Sequence, residues 1–193
     1  MKSKAACTRP RQAGVTMVEL IITMTIAGIL LAMGVSGYKY VTKSNRASSE
    51  INALLGDMQF ARYEAVKEGL PVTVCPAAAS ATACSVTTTW SGGWIVLSNA
   101  LSGTTGTANV LRRQLPFSSF NSTDTLTSGA SSVIFNREGF SPSLGAVATF
   151  TLHDSASTVS YTRCLMIGPS GVMQTGLASA MYASGPSVLG QTC

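Results

Sequence analysis

Residues 14–38 read GVTMVELIITMTIAGILLAMGVSGY, and this stretch decides the fold. Glu19 is its one charge, and none of the nineteen residues from Leu20 to Tyr38 is charged. As a helix rising about 1.5 Å per residue, those nineteen residues reach roughly 28 Å, close to the thickness of a bilayer core. Glu19 needs a reason, because a bare carboxylate at membrane depth costs about 2.5–3.5 kcal/mol on insertion scales. Ahead of the run lies a short leader ending at Gly14, with Lys2, Lys4, Arg9 and Arg11 and no acidic residue.

A basic leader ending in Gly, followed by Val15-Thr16-Met17-Val18-Glu19-Leu20, resembles the prepilin signature of type IV pilins and type II secretion pseudopilins. Val15 stands where that signature usually has Phe. The resemblance implies that a prepilin peptidase cuts between Gly14 and Val15 and methylates the new amino group of Val15. It also implies an assembly role for Glu19, the fifth mature residue. There it neutralises the terminal amine of a neighbouring subunit, which supplies the partner a buried carboxylate requires. Two other readings fit an apolar N-terminal segment. One is an ordinary secretory signal cut at Ala32-Met33-Gly34; Glu19 and a helical pattern that continues past Tyr38 stand against it. The other is a plain membrane anchor, with Glu19 near the interface.

The net charge of +5 belongs to the leader. Without its four cations, 13 − 4 = 9 basic residues face 8 acidic ones. A near-neutral mature chain gives no support for nucleic-acid binding. The positive-inside count is weak, with four cations before the apolar run against Lys39, Lys43 and Arg46 just after it. Orientation with the leader in the cytoplasm therefore follows from the resemblance.

Removal of the leader also removes Cys7 and leaves Cys75, Cys84, Cys164 and Cys193. An even count in an exported chain suggests two disulfides, and four cysteines allow three pairings. The local choices, Cys75–Cys84 and Cys164–Cys193, are favoured, each loop worth about 3–4 kcal/mol in a chain-entropy model. No C-x-x-C spacing and a single His weigh against a metal site.

From Ser44 onward, Ile51, Leu54, Leu55, Met58, Ala61, Ala65 and Val66 recur at three- and four-residue spacing, an apolar stripe on an amphipathic helix. Glu50, Asp57, Glu64 and Lys67 fall largely outside it, and Gly69 and Pro71 end the pattern. One helix over 16–68 is expected, weakened locally at Gly28, Gly34 and Gly37. Beyond Pro71, Ser, Thr, Gly and Ala dominate, and short β-rich runs appear at 72–75, 94–98, 110–115, 133–136, 147–152 and 164–168. Their Gly, Ser, Asn and Pro borders indicate antiparallel sheet. Residues 101–109 read as a hairpin loop, 120–132 as a polar surface loop, and 176–193 as a tail with little periodicity. The expected division is a leader (1–14), a transmembrane and assembly segment (15–38), an amphipathic half-helix (39–69) and a β-rich head (70–193).

Five segments sharpen the resemblance. Ala61-Arg62-Tyr63-Glu64-Ala65 leads to Cys75-Pro76 and then Trp90-Ser91-Gly92-Gly93-Trp94-Ile95-Val96; Ile134-Phe135-Asn136-Arg137-Glu138-Gly139 and Cys164 to Gly171 follow. In this order they resemble the GspH/FimT family of minor pilins and pseudopilins. The resemblance implies an α+β, pilin-like fold: a long N-terminal helix, transmembrane in its first half and amphipathic in its second, packed on a small antiparallel β domain.

Enzyme chemistry finds little support. His153-Asp154 is the only His–acid pair, and no G-x-S-x-G segment, phosphate-binding glycine loop or dinucleotide fingerprint occurs. Trp90 and Trp94 could form a stacking platform but fit a core better. Some FimT-type pilins bind DNA through a Gly-Arg-x-Arg motif; the matching place here is Gly171-Val172-Met173-Gln174, without either arginine, and no Lys or Arg follows Arg163. Arg112-Arg113 reads as solvated strand charge. The expectation is thus a structural minor pilin of the complex that initiates and tips a type IV pilus, with a type II secretion pseudopilin of the H type as the alternative. A DNA-binding pilus subunit is a further alternative. No catalysis, cofactor, metal or nucleic-acid partner is expected. The implied partners are other pilins or pseudopilins and the prepilin peptidase. The implied location is the inner membrane, single-pass with a periplasmic head, and then the filament tip.

Overall fold

The computed structural model describes residues 14–78, 82–98, 109–120 and 123–177, with the side chains of 33–37 and 119–120 left aside. The chain forms two compact units divided after Thr42. One helix, α1 (Met17–Glu68), runs through both. Its start lies one residue after the expected one, and its end is the expected one. Gly69, at φ +67°, stops it in the left-handed conformation a glycine tolerates at a helix C-terminus.

In the first unit every described side chain from Gly14 to Ala32 is exposed. Among the described residues no helix is long and apolar enough to cross a membrane. The expected transmembrane half is therefore not seen as a span, because the described apolar run ends at Ala32, where the side chains of 33–37 are left aside.

The second unit is built on the other part of α1. Ala47, Ile51, Leu54, Met58, Ala61 and Ala65 are buried at alternating spacings of four and three, the period of one helix face. Leu55 packs partly buried against this core, but Val66 is exposed, since a residue directly after Ala65 is rotated about 100° off the stripe.

Two antiparallel four-stranded sheets close the core. The first contains β1 (Val72–Pro76), β2 (Trp94–Ser98), β3 (Asn109–Arg113) and β5 (Val133–Phe135) in the order β3-β2-β1-β5. The second contains β4 (Thr125–Ser128), β6 (Ala148–His153), β7 (Arg163–Ile167) and β8 (Met173–Leu177) in the order β4-β6-β7-β8. The chain thus makes a meander, crosses to start the second sheet, returns to pair β5 with β1, and ends in a second meander. Val74 faces Val96 and Val133, and Phe150 faces Leu165, so the inner faces present a continuous apolar surface to the helix. On the other face of the first sheet Cys75, Ile95 and Leu97 form a second, smaller buried cluster. β1, β2 and β7 are buried at every position, which is why they read as near-continuous apolar runs.

Two strands fall where none was expected. β4 lies inside the expected surface loop and β8 begins before the expected tail. Both are edge strands of the second sheet with few apolar side chains, and a polar edge strand gives almost no periodic signal. The outer side of β4 is occupied by the segment before Trp90: Trp90 N donates to Leu126 O at 2.7 Å, and Ser128 N to Thr88 O at 2.9 Å. On the outer side of β5, the Ser143 hydroxyl accepts from Ile134 N and the Ser141 hydroxyl donates to Ile134 O, both at 3.0 Å, which blunts that edge. The expected hairpin loop at 101–109 lies almost wholly outside the described residues.

Candidate functional site

Gly14 and Val15 lie exposed ahead of α1, with Val15 70% exposed. Thr16 caps the helix: its hydroxyl accepts from Glu19 N at 3.3 Å, and its carbonyl accepts from Leu20 N at 3.2 Å. Glu19 sits in the first turn, where a negative charge is favoured by the helix dipole. Met17, Ile21, Met24, Ile29 and Leu31 are each more than half exposed, so apolar surface surrounds this part of the helix on all sides.

Satisfaction of the polar groups separates Glu19 from its surroundings. The Thr23 hydroxyl donates to Leu20 O at 2.9 Å and that of Thr25 to Ile22 O at 2.8 Å, so both are bonded within their own helix. Thr16 is occupied by the cap. Glu19 is the one polar side chain between Gly14 and Ala32 whose side chain has no partner among the described residues.

Further along α1, a row of polar contacts fastens the helix to the sheets. The Arg163 guanidinium, buried at the start of β7, donates from Nη2 to Ser44 Oγ at 2.8 Å, from Nε to Ser48 Oγ at 3.3 Å, and from Nη1 to the Ser160 and Thr162 carbonyls. Arg46 grips Asp124 with two bonds, Nε to Oδ2 at 2.9 Å and Nη2 to Oδ1 at 2.6 Å. The hydrogen bond it donates to Asp124 raises the Arg46 pKa above its ordinary value, against a smaller opposing effect of burial. Asp57 accepts from Trp94 Nε1 at 2.9 Å and from Arg112 Nη1 at 3.0 Å, and the Arg112 guanidinium lies 4.1 Å from the centre of the Phe60 ring. Arg112 is thus a packing contact of the helix rather than free strand charge. Arg62 donates from Nη1 to Gly171 O at 3.0 Å, and its side chain lies against Gly139 and Gly171, both at positive φ. Residues 61–65, 134–139 and 164–171, quoted above, therefore meet at Arg62, a convergence no sequence spacing revealed.

The remaining candidates divide clearly. Trp90 and Trp94 are fully buried and meet Phe150 and Phe117 edge-on, so neither is a stacking platform. His153 and Asp154 form no dyad: the ring Nδ1 meets the Asp154 backbone carbonyl, and the carboxylate accepts from Thr158 N at 2.7 Å and pairs with Lys43 at 3.8 Å. Cys75 and Cys84 are bonded to each other, with Cα atoms 5.5 Å apart. Cys164 is also disulfide-bonded, while Cys193, its expected partner, lies outside the described residues. No group of His, Cys, Asp or Glu among the described residues is arranged to hold a metal ion.

Residues 50–171 match the family model described as type II transport protein GspH. The chain belongs to the GspH family. Residues 9–35 match the prokaryotic N-terminal methylation motif, the segment containing Gly14, Val15 and Glu19. The fold is similar to two crystal structures of the Pseudomonas aeruginosa type IV minor pilin FimU. One matches with a TM-score of 0.54 at 21% identity over 72% of this chain and 91% of that one. The second crystal form matches with a TM-score of 0.51, again at 21% identity, over 70% and 94%. The sequence has no match among curated proteins. This GspH-family chain is a minor pilin or pseudopilin, of type IV pilus or type II secretion type. Family and structural neighbours alike are structural pilins, whose kind assembles with other pilins after processing by prepilin peptidase.

Proposed function

We propose that this GspH-family chain is a minor pilin of the complex that initiates and tips a type IV pilus. In this reading residues 1–14 are a leader removed by prepilin peptidase and Val15 becomes the methylated N-terminus. Residues 15–38 anchor the subunit in the inner membrane until they pack in the filament. Residues 39–69 and the head, 70–193, form the periplasmic part. The observation that carries this is Glu19. In a run whose threonine hydroxyls are all bonded within the chain, one carboxylate in the first turn is left for an external cation. The terminal amine of an adjacent subunit has the charge, the position and the apolar surroundings that such a carboxylate requires. A lone buried polar pair of this kind would fix axial register as helices pack.

The family, type II transport protein GspH, favours a second reading as a secretion pseudopilin with the same assembly chemistry. Loss of pilus-dependent motility against loss of secretion, in a strain lacking the chain, separates the two. The assembly chemistry is tested by Glu19→Leu. Removing the charge lowers the cost of placing the helix in lipid, so the variant reaches the membrane at wild-type level. Loss of one member of a buried pair costs about 3–5 kcal/mol, so its share in sheared filaments falls steeply. An unchanged filament share refutes the role assigned to Glu19.

A further inference from the structure

A groove of about 480 Å³ opens beside the last turns of α1, between Gln59, Arg62, Tyr63 and Val66 on the helix and Val172 and Met173 after the β7–β8 turn. Its walls are chiefly apolar, and three of its apolar side chains are left in water: Tyr63 is 64%, Val66 54% and Val172 43% exposed. The floor is held rigidly. Gly168 N donates to Val172 O and Gly171 N to Gly168 O, and Gly171 O is fixed by Arg62. A side chain at Gly171 would collide with the Gly139 carbonyl and crowd the Arg62 guanidinium, so the two glycine turns close on Arg62. A preformed groove with exposed aromatic and aliphatic walls and an arginine has the composition of a binding hot spot.

Arg62 states what the occupant must bring. Arg46 has Asp124 and Arg112 has Asp57, but among the described residues Arg62 donates to a neutral carbonyl and forms no ion pair. Among the described residues it is also the one charged side chain lining the groove. A half-buried guanidinium with spare donors in an apolar setting is complementary to a carboxylate.

We infer that this groove docks an Asp or Glu side chain flanked by aliphatic residues, presented by a neighbouring subunit of the filament. The identification of the partner as a filament subunit rests on the proposed function; the carboxylate chemistry stands on the groove alone. Phosphate is disfavoured as the recognised group, because Val172 and Met173 bring apolar surface where a nucleic-acid site needs further cations.

The test is NMR titration of the full-length protein in non-ionic detergent, following the Tyr63 ring and the Val66 and Val172 methyl groups. The probes are N-acetyl-Leu-Glu-Leu-amide, its Gln analogue and an oligothymidylate. The glutamate peptide shifts these signals saturably, the glutamine peptide binds about tenfold more weakly, and the oligothymidylate leaves them in place. Val172→Asp, at an exposed position, supplies Arg62 with a carboxylate of its own and abolishes binding. Equal binding of the two peptides, no binding of the glutamate peptide, or displacement of these signals by the oligothymidylate overturns the inference. None of these outcomes bears on cleavage at Gly14 or on Glu19, so failure here leaves the pilin reading to its own tests.

Discussion

The Arg46–Asp124 pair offers a measurement of how firmly α1 is fastened to the second sheet. Asp124 precedes β4 with a side chain 2% exposed, whereas the Arg46 side chain is 33% exposed, so the pair is neither a surface bridge nor a sealed one. Exposed pairs couple by about 0.2–1 kcal/mol. Loss of one member of a buried pair costs about 3–5 kcal/mol. Two short, near-parallel bonds onto a buried carboxylate place this contact between those limits, with partial screening at Arg46. A cycle of Arg46→Met, Asp124→Asn and the double variant is expected to give a coupling of about 1.5–3 kcal/mol. Urea unfolding of the full-length chain in non-ionic detergent reads it cleanly, since Trp90 and Trp94 are the only tryptophans and both are fully buried in the head. The coupling should also resist added salt, as a shielded pair does. A coupling under about 0.5 kcal/mol, or one abolished by salt, would mean that water reaches the contact and that this pair does not fasten the helix.

Further outcomes follow from the same structure. Intact-mass measurement of membrane-extracted protein should show loss of residues 1–14 and one added methyl group; an N-terminus at Val35 would support ordinary signal cleavage instead. Non-reducing peptide mapping of the exported protein should recover Cys164 joined to Cys193, beside the Cys75–Cys84 link. The Arg137 hydrogen bond holds the Glu138 carboxyl below its ordinary value. A depressed carboxylate contributes stability above the usual carboxylate range and loses it as pH falls through its own lowered pKa. Both side chains are exposed, so the readout is the Glu138 titration itself, whose midpoint should rise in Arg137→Gln with little change in stability.

Elements with strong periodicity were legible in the sequence. The end of α1 follows from Gly69 and Pro71, and the stripe from Ile51 to Ala65 follows from burial on one face. β1, β2 and β7, buried on both faces, announce themselves as apolar runs. β4 was hidden because Thr125, Leu126, Thr127 and Ser128 bury little apolar surface, and its strand character comes from partners at 88–90 and on β6. The site divides the same way. Glu19 is conspicuous as the charge in an apolar run, whereas the Arg62 contact joins residues 109 positions apart and no local pattern encodes it. Asp57 likewise looks like solvated helix charge until Trp94 and Arg112 are brought to it by the first sheet.

One helix therefore meets two incompatible demands, and its polar residues mark where the demand changes. From Lys43 onward, charged and hydroxyl side chains find partners on the sheets: Lys43 with Asp154, Ser44 and Ser48 with Arg163, Arg46 with Asp124. These contacts fasten this part of the helix to its own chain. Between Gly14 and Ala32 the opposite holds. The apolar side chains are exposed all round, each worth about 1.5–3 kcal/mol when removed from water. The threonines are turned inward onto their own backbone, and nothing else in the chain covers the surface among the described residues. Such a segment is stable only against lipid or against other helices. Lipid satisfies the aliphatic side chains but not Glu19; a bundle of like helices satisfies both, provided one of them brings a cation to the level of the first turn. In the proposed assembly that cation is the free amine of Val15 on an adjacent subunit, so that cleavage after Gly14 and packing of the helices would form one chemical requirement.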